Sequence, residues 1–179
     1  AAEPVTILLN QPADIGANPS AALGLIRAET RVANDPSGIP MLKQHFLKLI
    51  QHIPLERNAS GMAIFTQDWR AARKLSDDAN TLEQEYIVEV AGELSVDGLK
   101  QLNHGLTYNG RALPPGKVSW QNETRLRFAL KGVQPGQIAH MCQSVGLQVL
   151  AMKRIRIGRV SMGKLPPGQW GYLMPQERF

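Results

Sequence analysis

The chain is short of the features that usually announce a function. It holds a single cysteine, Cys142, so no internal disulfide is possible, and that fits a reducing compartment. No apolar run approaches the ~18 residues that a bilayer crossing needs. The first ten residues, AAEPVTILLN, lack a basic region followed by a long apolar segment, so no secretory signal is expected. The expected setting is the cytoplasm, away from any membrane. The four histidines are His45, His52, His104 and His140, and none is spaced from another or from Cys142 as zinc ligands are. His140-x-Cys142 reads as an exposed imidazole and a core thiol. There is no Walker loop, no glycine fingerprint after a strand and no serine in a nucleophile elbow.

What remains is a moderately basic globular chain. Of its 179 residues 43% are hydrophobic, enough for a packed interior. Twenty Lys and Arg stand against 15 acids, a net charge of +5. The excess is uneven. The first 26 residues carry no Lys or Arg, whereas Lys153, Arg154, Arg156, Arg159 and Lys164 fall within 13 residues. Such a cluster attracts polyanions by releasing their counterions, although a solvated strand face looks the same in sequence.

Hydrophobic periodicity predicts a strand over 5–10 and a short helix within SAALGLIRA. An amphipathic helix is predicted over MLKQHFLKLIQ, opened by Pro40. A strand over 61–66 and a helix in QDWRAARKLSD follow. QEYIVEVAG (84–92) alternates with period two and is the clearest strand. SVDGLKQLNHG reads as a Ser-capped helix ended by Gly. Asn109-Gly110 predicts a tight hairpin turn. TRLRFALKG is a strand, PGQIAHMCQSVG a helix with Ile138, Met141, Cys142 and Val145 inward, and QVLAMKRIRIG a long strand. On that last strand Arg154 and Arg156 are expected to share one face, with Ile155 and Ile157 toward the core. LPPGQWGYL carries no predicted element. The pattern is α+β, with a mostly antiparallel sheet and three or four helices.

Several of these stretches resemble one family in chain order. MKRIRIGRVSMGKLPPGQW is similar to the C-terminal signature of bacterial ribosomal pseudouridine synthases of the 16S and 23S single-site branch: Gly168, Trp170 and Leu173 match, while Gly171 replaces an Arg. In PGQIAHMCQSVG the residues Gln137, Ile138, Met141 and Gly146 match, in QEYIVEV Tyr86 does, and in ILLNQPADI Asn10 and Pro12 do. The family's catalytic loop falls on IPLERNASGM, where Leu55 and Gly61 match and Glu56 takes the place of the catalytic aspartate. The family's N-terminal RNA-binding module has no counterpart in these residues.

The resemblance implies the pseudouridine synthase fold, one catalytic domain over 1–179, and two lobes sharing a sheet with a central cleft and a split near 92–116. It implies no cofactor or metal, and structured, ribosomal RNA as partner of a monomer. It casts Glu56 as the carboxylate that starts glycosidic cleavage and Tyr86 as the ring that stacks a flipped uridine. Arg57, Lys153, Arg154, Arg156, Arg159 and Lys164 become the RNA-binding candidates. The family's basic partners are absent: Pro54, Gln84, Gly136, Ala139 and His140 occupy their positions, and Asn58 that of a second acid. A carboxylate without a cation to orient it and keep it charged is a poor nucleophile. The expected function is therefore RNA binding with weak or no isomerase activity. The alternatives are an active synthase using Glu56 and a protein-interaction scaffold.

Overall fold

The computed structural model describes residues 3–179, so the first two positions of the expected 1–179 domain lie outside it. Among the described residues, eleven strands and four α-helices follow one another. They are β1 (Thr6–Gln11), α1 (Pro19–Leu23), β2 (Ile50–His52), β3 (Ala59–Thr66), α2 (Trp69–Asp77), β4 (Glu83–Gly92) and α3 (Gly98–Asn103). Then come β5 (Thr107–Tyr108), β6 (Arg111–Ala112), β7 (Lys117–Trp120), β8 (Arg125–Lys131), α4 (Gln137–Ser144), β9 (Leu147–Ile157), β10 (Val160–Ser161) and β11 (Trp170–Tyr172). One sheet runs in the order β11-β1-β3-β9-β4-β8-β7, with β2 added to β3 and β10 to β9. Within it only the β3–β9 pair is parallel. The architecture is thus the expected α+β fold with a mixed, mostly antiparallel sheet.

Both faces of β1 and β3 are covered, which explains their apolar runs. On β1, Ile7 and Leu9 join one core with Phe65, Val88, Phe128 and the inward face of α4. Leu8 faces the other core, with Met62, Ile64 and Leu75 of α2. α2 starts at Asp68, whose carboxylate accepts from the Arg70 amide as an N-cap. The Asn109-Gly110 turn is present, with both residues at positive φ between β5 and β6.

Three local readings are corrected. Residues 41–51 do not form an amphipathic helix; they give a 3₁₀ turn over Lys43–Phe46 and then β2. The side chain buried there is His45, whose Nδ1 lies 2.8 Å from the Tyr172 hydroxyl, while Leu47 and Ile50 stay exposed. Gln67 Nε2 donates to the carbonyls of Gln44 and Leu47 and so competes with helical bonding. The helix expected from Ser95 starts only at Gly98, because Asp97 takes a left-handed conformation and makes no side-chain cap. Finally, residues 170–172 pair with β1, and Trp170 is completely buried.

The middle of the sheet positions the site. At the β3–β9 junction Gly61 lies against the Arg154 backbone, where a Cβ would come 2.2 Å from the Arg154 carbonyl oxygen. Two bulges interrupt the β4–β9 ladder. At the first, Glu85 pairs with Arg156 but the next residue, Tyr86, pairs with Arg154, so Ile155 is the extra residue.

Candidate active site

Glu56 lies in the loop between β2 and β3. Leu55, 1% exposed, anchors that loop in the core, and the Ala59 amide donates to the Glu56 carbonyl at 3.1 Å. Ile53 and Asn58 bracket the loop, both at positive φ (47° and 69°). For a β-branched residue such as Ile53 that conformation is a genuine outlier. The Glu56 side chain is half-buried, and its Oε2 accepts from the Gly136 amide at 3.3 Å. Gly136 is the N-cap of α4 with φ 80°, and Tyr108 lies so close that a Cβ there would come 2.8 Å from its hydroxyl. Burial pushes the Glu56 carboxyl above its ordinary range, and the Gly136 hydrogen bond offsets this only in part. Among the described residues no Lys, Arg or His forms an ion pair with Glu56.

Tyr86 projects from β4 into the same region and is 4% exposed. Its hydroxyl donates to Gln84 Oε1 at 2.8 Å. Gln84 stands two residues away on the same strand face, as period-two alternation requires. Burial raises the phenol; the positive charge of Arg154 pulls it down and the Glu56 carboxylate pushes it up. Tyr86 thus feels both groups.

The RNA-binding candidates separate. Arg57, Arg159 and Lys164 are exposed and Lys153 is half-buried, and among the described residues none of the four forms a salt bridge. Arg156 does: its Nε lies 2.7 Å from Glu85 Oε2 and its Nη2 2.5 Å from Glu83 Oε1. Burial alone would depress that guanidinium, but bonds to Glu85 and Glu83 outweigh it and hold the group above its usual value. Arg154 is not on an open face at all. It is 1% exposed and bonds to Met62, Ile53 and Gln84. The expected shared face of Arg154 and Arg156 fails because the Ile155 bulge changes the phase of alternation between them.

A cavity of about 620 Å³ opens elsewhere, lined among others by Val5, His45, Arg70, Leu173 and Phe179, and not by Glu56 or Tyr86. Among the described residues no group of three or more His, Cys, Asp or Glu could hold a metal ion. Sequence reasoning missed Ile53 and the burial of Arg154. Gln84 was legible as a neighbour of Tyr86 from their spacing, and Gly136 as the start of α4.

No protein-family profile matches the chain. A crystal structure of pseudouridylate synthase superposes with a TM-score of 0.76 over 97% of this chain and 72% of its own, at 16% identity. The archaeal box H/ACA Nop10–Cbf5 complex contains a chain that matches with a TM-score of 0.55 over 88% of this chain and 48% of that one, also at 16% identity. The fold is therefore that of the pseudouridine synthases. In sequence, ribosomal large subunit pseudouridine synthase B of Yersinia pestis is 29% identical over 147 residues, covering 76% of this chain and 46% of the relative. Ribosomal small subunit pseudouridine synthase A of Vibrio cholerae is 25% identical over 126 residues, covering 69% and 54%. In sequence the chain is thus similar to ribosomal RNA pseudouridine synthases, and it shares their fold. It spans about half the length of these curated relatives.

Proposed function

We propose that this chain is an RNA-binding domain of the pseudouridine synthase type, acting on structured, ribosomal RNA with weak isomerase activity or none. One observation carries the reading. The Glu56 carboxylate, whose charge is felt at Tyr86, has a backbone amide as its hydrogen-bond partner and, among the described residues, no cation within ion-pair distance. A nucleophilic carboxylate must be charged and aimed. Here burial works against the charge, and one long N–H bond does little to fix the aim. The nearly covered Tyr86 ring adds to this, since stacking on a flipped base requires a free face. Of the RNA-binding candidates, Arg57, Lys153, Arg159 and Lys164 form no salt bridge among the described residues and can meet phosphates, and no cofactor or metal enters the scheme.

The retained pairing of Glu56 with Tyr86 supports a second reading, in which Glu56 replaces the aspartate of the relatives in a working synthase. The two separate in one experiment. Ribosomal RNA carrying 5-tritiated uridine is incubated with the protein while binding is followed in parallel. Salt-sensitive binding with release slow or absent supports the first reading. Rapid release abolished by Glu56→Gln establishes the second. A scaffold for protein contacts would neither bind nor release.

A further inference from the structure

We propose that Arg154 is a positioning residue that fixes both halves of the candidate active site at once, the Glu56 loop through the Ile53 carbonyl and the Tyr86 ring through Gln84. The inference rests on the reading of Glu56 and Tyr86 as two halves of one candidate site, whether or not that site turns over.

Arg154 is the one Lys, Arg, Asp or Glu that is buried among the described residues. It is 1% exposed, and among the described residues no carboxylate pairs with it. Removing a guanidinium from water without a counter-ion costs several kcal/mol. Burial accordingly depresses its pKa. Ordinary packing would be served as well by an apolar residue of similar length. What the guanidinium adds is direction. Nε and Nη2 both donate to the Met62 carbonyl, at 3.0 and 2.7 Å, which seats the group on β3. From that seat two arms leave. Nη2 also reaches the Ile53 carbonyl at 2.7 Å. Nη1 reaches Gln84 Oε1 at 3.3 Å, the same oxygen that accepts from the Tyr86 hydroxyl at 2.8 Å.

The Ile53 arm ends on a strained residue. A β-branched side chain at φ 47° stays there only if its surroundings hold it. The Arg154 bond is such a hold, three residues before Glu56. The Gln84 arm ends on the ring next to the same carboxylate. The Ile155 bulge turns Arg154 toward Tyr86, and the absence of a side chain at Gly61 lets β9 approach β3 closely. One planar fork with five donors suits this task, and a Lys would not reproduce it.

The test uses Arg154→Met, with a cooperative thermal melt to show folding. The Gly136 amide donates to Glu56, so its proton chemical shift should follow Glu56 ionisation in a pH series, and Glu56→Gln should abolish that response. We expect Arg154→Met to cut the response by more than half. Where wild-type protein releases tritium from labelled uridine, we expect kcat to fall about 10- to 100-fold with KM within about twofold. A folded Arg154→Met protein with the wild-type Gly136 response and kcat overturns the proposal. Should that variant not fold, Ile53→Gly frees the loop while leaving Arg154 in place. A halved response supports the proposal, and an unchanged one overturns it. A wild-type protein without release removes the isomerase reading only; the Gly136 signal still decides the role of Arg154.

Discussion

The Gly136 amide points at Glu56 Oε2 from 3.3 Å, across 80 residues of sequence. It is the only protein hydrogen bond found for that carboxylate among the described residues, and a backbone dipole stands where the family relatives, by resemblance, carry a guanidinium. An N–H at the start of an eight-residue helix favours negative charge by a few tenths of a kcal/mol to about 1 kcal/mol. A facing guanidinium would contribute more through a charge-assisted, bidentate pair.

Stability should record this imbalance. The folded-state pKa of Glu56 is raised above its ordinary 4.5. Its contribution is therefore fully present below pH about 4.5 and is lost as pH rises through the folded value. At neutral pH the ionised carboxylate is the destabilising form. Glu56→Gln should raise the melting temperature at pH 7 and make no difference at pH 3.5. The side chain is half-exposed, so the gain stays below about 1 kcal/mol, or roughly 2–4 °C for a chain of this size. Scanning calorimetry at the two pH values decides it.

Supplying a cation should restore what is missing. Pro54→Arg places a guanidinium where the family resemblance puts one, two residues before Glu56. It should lower the Glu56 pKa and raise the rate of tritium release at pH 7 by about tenfold, the scale of one well-placed charge. Wild-type protein, where it turns over, should speed up as pH rises through the Glu56 titration, and that limb should move to lower pH in Pro54→Arg. A rate independent of pH from 5 to 8 would remove Glu56 from the reaction.

RNA affinity should follow the surface cations unevenly. Neutralising Lys153, Arg159 or Lys164 with Gln should each reduce the slope of log affinity against log salt by about 0.7 to 0.9. Arg156→Gln should leave the slope alone, because Glu83 and Glu85 already hold that guanidinium. Its cost should instead appear as about 1 kcal/mol of stability in urea unfolding. Fluorescence anisotropy on a labelled ribosomal RNA fragment at four salt concentrations gives the slopes.

Gly61 and Gly163 offer a matched pair. Both have positive φ, 104° and 62°. An added Cβ at Gly61 would lie 2.2 Å from the Arg154 carbonyl oxygen, against rigid backbone, whereas at Gly163 nothing lies within 4 Å. Gly61→Ala should cost about 3 kcal/mol or more, or prevent folding. Gly163→Ala should cost only about 1 kcal/mol for the left-handed conformation. Urea denaturation of the two proteins would refute this if the costs were equal.

β1, β3 and β4 were easy to read, because they announce themselves by apolar runs or strict alternation. Segment 41–51 misled because its apolar residues have helical spacing, yet the partner that decides its conformation, Tyr172, lies more than 120 residues away. The placement of Glu56 beside Tyr86 followed from family resemblance; composition and periodicity alone would leave Glu56 in a solvated turn. The fate of Arg154 was hidden for a sharper reason. A period-two pattern assumes an unbroken ladder, and a single extra residue in β9 reverses inside and outside. Nothing local in MKRIRIG marks where that residue falls.

The pairing of β1 with β11 has a consequence for how the chain is made. Leu9 meets Trp170 across 161 positions, so the outer edge of β1 stays open until residues 170–172 have left the ribosome. Loop closure over that distance is slow, and an open, apolar edge strand invites pairing with other nascent chains. Chaperone dependence during synthesis, lessened when translation is slowed at low temperature, is the cellular trait this topology foretells.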